Sequence, residues 1–357
     1  MYCGSKPHRY IPIERSLSQL ERFLLRSPES TWRRICHLLT KPELGRLGQT
    51  SNVLSEYVSI YTQEAWDIND FLGTWFSDPC VFRSALAYAG AVITGSQALR
   101  YLDRLHPSNS SDLDIVTRLG GAMTLCLYLQ EQGYTRVART FDRLDDYPLV
   151  TDLLSMASSK RFCSGGGSHG ILGIFDFVKP HFQRRLEDLP NLKVQVIVVT
   201  QNPIEHIVLT YHSTLVMNYI THREAVSVFP ASTFLDRVGY VSSRKKLGPG
   251  WDATWKRKYE SRGFRFDTKS LHPKLQFGNR STSDSLCWRV SFDDVDEDSL
   301  IALEESRGVY GPEIFDPVRF EMSWITDPDA STAELRFRVG VYEPEIWDYL
   351  FPWHLLQ

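Results

Sequence analysis

Two aspartates flank one apolar residue in Asp112-Leu113-Asp114, a short way after the junction Thr94-Gly95-Ser96. In a strand, residues i and i+2 project to the same side. Asp112 and Asp114 then present their carboxylates together while Leu113 and Ile115 enter a core. Two like charges that close repel strongly unless a cation lies between them. A hard dication with oxygen ligands, such as Mg²⁺, suits the pair. Upstream, the apolar residues before Thr94 run straight into Gly95 and Ser96. Gly95 lets a backbone approach a phosphate closely, Ser96 offers a hydroxyl, and the amides of a new helix point at an anion. A phosphate cradle beside paired carboxylates is what phosphoryl transfer needs.

The elements that must hold these residues follow from apolar spacing. Residues 91–94 read as a short strand, 97–105 as a helix with Ala98, Leu102 and Leu105 on one side, and 113–116 as a strand. A helix over 124–132 stops at Gly133, a good C-terminal cap. A strand within 134–140, a helix over 146–157 and two strong strands, 171–178 and 193–200, come next. Residues 204–221 read as one apolar helix opened by Pro203. Before all of these, residues 16–77 show helical spacing throughout. Ser16 stands where it would cap a helix with Leu17, Leu20, Phe23 and Leu24 on one stripe, and Pro28 opens a second helix with Trp32, Ile35, Leu38 and Leu39. After them, residues 283–345 alternate as strands do: Leu286, Trp288, Val290, Phe292; then Val318, Phe320, Met322, Trp324; then Leu335, Phe337, Val339, Val341. The last two runs read as a hairpin around 327–332, and the acidic stretch 293–305 as a solvated loop and helix start. The fold class is α+β: a loose arm (1–15), a helical module (16–77), an α/β domain with a mixed sheet (78–222), a mixed segment (223–282) and a β-rich extension (283–357).

The order apolar residue, Gly, Ser, helix, then Asp-apolar-Asp-apolar resembles the nucleotidyltransferase superfamily, the fold of DNA polymerase beta and the nucleotide-adding enzymes. The 15 residues between the motifs, 97–111, are slightly more than that family usually has, and the loop His106-Pro107-Ser108-Asn109-Ser110 takes up the extra length. The resemblance implies that Asp112 and Asp114 bind Mg²⁺ and that Gly95 and Ser96 hold the phosphates of a nucleoside triphosphate. Active members carry a third carboxylate on a later strand, which completes the cation site or accepts a proton. Here the matching position is Gln195, whose amide cannot act as a base; Asp176, in Phe175-Asp176-Phe177, is the alternative, and both outcomes stay open. Over about residues 16–270 the chain also resembles fungal proteins of uncharacterised function that join an F-box-like helical stretch to a nucleotidyltransferase-like domain. The residues that carry this are Ile93 to Leu99, Ser111 to Asp114, Tyr211 to Asn218 and Lys258 to Phe264, with Pro28, Trp32, Leu38-Leu39, Pro42 and Leu44 in the F-box-like part. It implies a Skp1-type adaptor as partner for residues 16–65, acting in place of or beside nucleotide transfer.

Three other groups carry residue types able to bind or react. Arg244-Lys245-Lys246 and Lys256-Arg257-Lys258 bracket Trp251 and Trp255, with Tyr259 and Arg262 following. Such interleaving can hold a nucleic-acid strand or a triphosphate, but a solvated helix with buried tryptophans is the simpler reading. The glycine run 165–167 lacks the Gly-Lys-Ser/Thr ending of a phosphate loop and reads as a surface loop; Lys160 and Arg161 before it would reach phosphates if that loop folds over the site. His212 reads as a hydrogen-bonded, partly buried residue.

A length of 357 residues points to two or three domains. The net charge of −3 gives no global attraction to nucleic acid. The 6 cysteines form no Cys-x-x-Cys pair and suit a reducing compartment. With no signal peptide and no long apolar run, the expectation is a cytoplasmic or nuclear protein with no membrane span.

Overall fold

Capping residues and apolar alternation place each element in a computed structural model, which describes residues 17–108, 110–137, 153, 170–180, 190–242, 251–267, 275–292, 315–326 and 333–339. The chain divides into two units, Met1–Ala65 and Trp66–Gln357.

The first unit holds α1 (Gln19–Arg26), α2 (Glu29–Leu38), α3 (Lys41–Gly48) and α4 (Asn52–Ala65). The cap of α1 is Ser18. Its hydroxyl accepts from the Glu21 amide while the Glu21 carboxylate accepts from the Ser18 amide at 2.7 Å. Ser16 lies outside the described residues. Thr40 and Glu43 repeat this reciprocal capping at α3, with Pro42 in the first turn. Trp32, Cys36, Leu44, Leu54, Val58 and Tyr61 are buried together with Leu24. The expected stripes are only partly buried: Leu20 and Phe23 on α1 are 47% and 51% exposed, and Leu38 on α2 is 77% exposed.

The second unit begins with α5 (Ile68–Leu72) and α6 (Pro79–Tyr88). Residues 66–77, read from sequence with the helical module, pack here: Trp66 Nε1 donates to the Leu102 carbonyl and the Tyr101 hydroxyl to the Trp66 carbonyl. The main sheet has the order β11 (Trp288–Ser291), β7 (Glu224–Ser227), β6 (Asn218–Ile220), β1 (Val92–Thr94), β2 (Leu113–Arg118), β5 (Leu192–Val199), β4 (Ile171–Lys179), β3 (Thr135–Val137). Every neighbouring pair is antiparallel except β2 and β5, so the sheet is mixed. Strands from beyond residue 222, β7 and β11, extend it.

Alternation sets the two faces. Leu113, Ile115, Val194, Val196, Phe175 and Phe177 are buried, and α8 (Leu119–Glu131) packs against β2 and β5. Val116, Ile197 and Val199 turn the other way and cluster with Ile204, Ile207 and Val208 of α9 (Pro203–Thr210). Two short strands, β8 (Val238–Gly239) and β9 (Arg265–Phe266), pair parallel in a sheet of their own. The cluster takes Phe320, Met322, Leu335 and Phe337 from a further sheet, β10 (Gly278–Ser281), β12 (Arg319–Thr326), β13 (Ala333–Val339). The C-terminal strands therefore share a core with the main sheet. β12 and β13 pair antiparallel as the expected hairpin, whose loop at 327–332 lies outside the described residues.

One expectation fails. Residues 204–221 are not one helix: α9 stops at Thr210, a short 3₁₀ turn covers Thr214–Val216, and Asn218–Ile220 is β6 between β1 and β7. Tyr211 is extended (ψ 144°). The Thr214 amide donates to the Tyr240 carbonyl, and the Asn218 side chain caps the turn by donating to the Leu215 carbonyl. An apolar run suits a buried strand as well as a buried helix, and the open edge of β1 decides the case here. No helix among the described residues is long and apolar enough to cross a membrane.

Candidate cation and phosphate site

The two halves of the sequence motif meet because β1 pairs with β2. Thr94 sits opposite Asp114, and α7 (Gly95–Leu102) starts at the next residue. Gly95 has φ +71°, the left-handed region. A Cβ there would lie 2.1 Å from Asp114 Oδ2. Only glycine lets the helix start and the carboxylate come this close. Ser96 follows within the first turn, 3% exposed.

Asp112 is held from outside the sheet. The buried Gln97 side chain donates to the carbonyls of Ser108 and Ser111, both at 2.8 Å, and accepts from the Ser108 amide. Arg262 Nη2 donates to Ser111 Oγ at 3.1 Å. These bonds pin the loop between α7 and β2 just before Asp112.

The third position follows from the parallel register of β2 and β5, which sets Gln195 directly beside Asp114. Asp176 lies one strand further, opposite Gln195 on β4. Gln195 Nε2 donates to Asp176 Oδ1 at 2.9 Å. Asp114, Gln195 and Asp176 thus form a row across three strands on one face, since cross-strand partners share a face. Among the described residues no three His, Cys, Asp or Glu side chains are grouped to hold a metal ion. The group beside the aspartate pair is an amide.

Electrostatics mark Asp114 as the strained member. Burial foremost, then the Asp112 charge and also that of Asp176, raise its carboxyl from the ordinary 3.8 to about 7, against the pull of Lys258. Lys258 belongs to α10 (Trp251–Glu260). Burial and the Arg262 charge lower its ammonium, while Asp114 and Asp112 act the other way. Tyr211 and Tyr259, both close enough to feel Asp114, have phenols pushed far up, chiefly by burial. The donors fit a hard dication: two carboxylates against a helix start, with an amide oxygen available from Gln195.

The helix α10 is solvated as expected, with Arg257, Lys258 and Glu260 exposed, and its Trp255 is half-buried. Tyr259 is buried, and Trp255 stacks on His212 with ring centroids 3.9 Å apart. Lys258 is exposed yet close enough for Asp114 and Asp112 to act on its charge, and Arg262, just past the helix end, has Nη1 buried without a partner among the described residues. His212 is half-buried as expected, with Nδ1 3.0 Å from Ser213 Oγ, but it sits after α9 and not on a helix. The sequence reading had no role for Gln97, although a polar residue in a helix's first turn, facing inward, is a signal for loop anchoring. Lys160, Arg161, the glycines 165–167 and Arg244-Lys245-Lys246 lie outside the described residues.

No known protein-family model, curated protein or solved structure matches this chain. The functional reading therefore rests on the site.

Proposed function

We propose that the second unit binds a nucleoside triphosphate with a divalent cation, Mg²⁺ by its donor set, and transfers the nucleoside monophosphate to an acceptor. Asp112 and Asp114 would hold the cation, which supplies charge neutralisation at the phosphates. Gly95 and Ser96 would receive the outer phosphates at the start of α7, and Lys258 on α10 and Arg262 just past its end would face them. An acceptor hydroxyl oxygen forms a bond to the α-phosphorus and releases its proton to solvent, the α–β bridge breaks, and pyrophosphate leaves. The observation that supports this best is the contact of Gly95 with Asp114, which brings a helix start and a half-buried carboxylate together at a distance only glycine permits. Incubation with α-labelled ATP, CTP, GTP and UTP and Mg²⁺ tests it. Labelled product or pyrophosphate is expected, and its loss in Asp112→Ala; no transfer together with no nucleotide-dependent thermal shift would sink the reading.

A second reading concerns the first unit. Leu20, Phe23 and Leu38 are exposed apolar side chains on short helices, which supports an F-box-like module docking on a Skp1-type adaptor. Pull-down of the full chain with that adaptor is the test. Binding lost in the Leu20→Ser/Phe23→Ser double variant is the expected result, and no binding rules the reading out.

A further inference from the structure

We infer that Gln195 and Asp176 work as one unit, in which Asp176 does not touch the cation but strengthens Gln195 as its third oxygen ligand. This rests on the cation site proposed above and assigns its remaining partner. A glutamine amide has a donor end and an acceptor end. In this protein the donor end faces β4, since Gln195 Nε2 gives one of its two hydrogens to Asp176 Oδ1 at 2.9 Å. That bond fixes the amide's flip. With the nitrogen turned to β4, the Oε1 end is left for the other neighbour in the row, and that neighbour is Asp114, directly beside Gln195 in the parallel register of β2 and β5.

Donation to a carboxylate also changes the ligand's strength. A charge-assisted hydrogen bond from the amide nitrogen shifts electron density toward the amide oxygen, as chains of hydrogen bonds polarise one another. The logic matches that of a metal-bound histidine backed by a carboxylate, where loss of the backing group costs ten- to a hundred-fold in metal affinity. Asp176 is near enough for its charge to act on Asp114, yet no third acidic side chain joins the Asp112–Asp114 pair among the described residues. A backing role accounts for both facts. Gln195 is then not a lost acid but a neutral ligand whose strength is set one strand away.

Mn²⁺ binding, followed by electron paramagnetic resonance with the full chain, tests this without any assay of turnover. Each variant is first checked for a native circular dichroism spectrum and cooperative melt. Asp176→Asn keeps an acceptor for the Gln195 amide and removes only the charge; it should weaken Mn²⁺ binding about ten-fold. Gln195→Ala should weaken it at least as much, and the double variant should be no worse than Gln195→Ala alone, because Asp176 acts only through Gln195. Additive losses, or an Asp176→Asn protein within two-fold of the unaltered chain, would overturn the inference. An Asp114→Asn protein that binds Mn²⁺ as well as the unaltered chain, or an unaltered chain that binds none, would overturn the cation site itself.

Discussion

Asp114 gives the residue scale its sharpest consequence. Its carboxyl titrates near 7 in the folded protein, raised mainly by burial and then by Asp112, against 3.8 ordinarily. The native state therefore holds this proton more tightly than the unfolded chain does. Between about pH 4 and pH 7 its contribution to stability falls as pH rises, and the loss is complete above about pH 7. The difference corresponds to a cost on the order of 4 kcal/mol for the charged form without a cation. Asp114→Asn should thus melt higher than the unaltered protein at pH 8 in a chelator, with the gap closing toward pH 4; calorimetry at several pH values checks it, and an equal gap at every pH contradicts it. Gly95 tests the other half. Gly95→Ala puts a methyl group 2.1 Å from Asp114 Oδ2 at φ +71°, so a loss of at least about 1–2 kcal/mol is expected from the backbone alone. A denaturant midpoint unchanged by the substitution would mean that this junction is not as close as described.

Short elements around the site were legible because each is bounded by residues with only one role. Thr94-Gly95-Ser96 marks the end of β1 and the start of α7, Gly133 ends the helix before β3, and β4 and β5 stand out as apolar runs. The register between them was less so. Nothing local to Gln195 says which strand lies beside it, and the choice between Gln195 and Asp176 needed the sheet order β2–β5–β4. Residues 204–221 misled for a related reason, since an apolar run carries no period to separate a buried helix from a helix, a turn and a strand. Lys258 and Arg262 were visible as charges, but their approach to Asp112 and Asp114 depends on tertiary packing of α10. Gln97 acts at the level of an element too, by tying α7 to the loop before β2. Gln97→Ala leaves two carbonyls without their donor, which should cost about 1–3 kcal/mol and weaken cation binding by freeing Asp112; a stability loss with unchanged Mn²⁺ affinity would confine Gln97 to a structural role.

At the scale of the molecule, a nearly neutral chain of 357 residues places its charges locally. The acids gather at one end of β2, and Lys258 and Arg262 come to them from a segment far along the chain. The C-terminal strands β12 and β13 share a core with α9 and the main sheet, so they support the framework of the site, and the first unit adds a separate set of capped helices. All of this converges on one claim, that Asp112 and Asp114 hold a divalent cation with a nucleoside triphosphate beside Gly95. Isothermal titration of the full chain with non-hydrolysable analogues of ATP, CTP, GTP and UTP, with Mg²⁺ and with a chelator, is the closest test. Binding that needs Mg²⁺ and falls at least ten-fold in Asp114→Asn is expected. Binding that is indifferent to Mg²⁺ or to that substitution, or no binding of any of the four nucleotides, would contradict it.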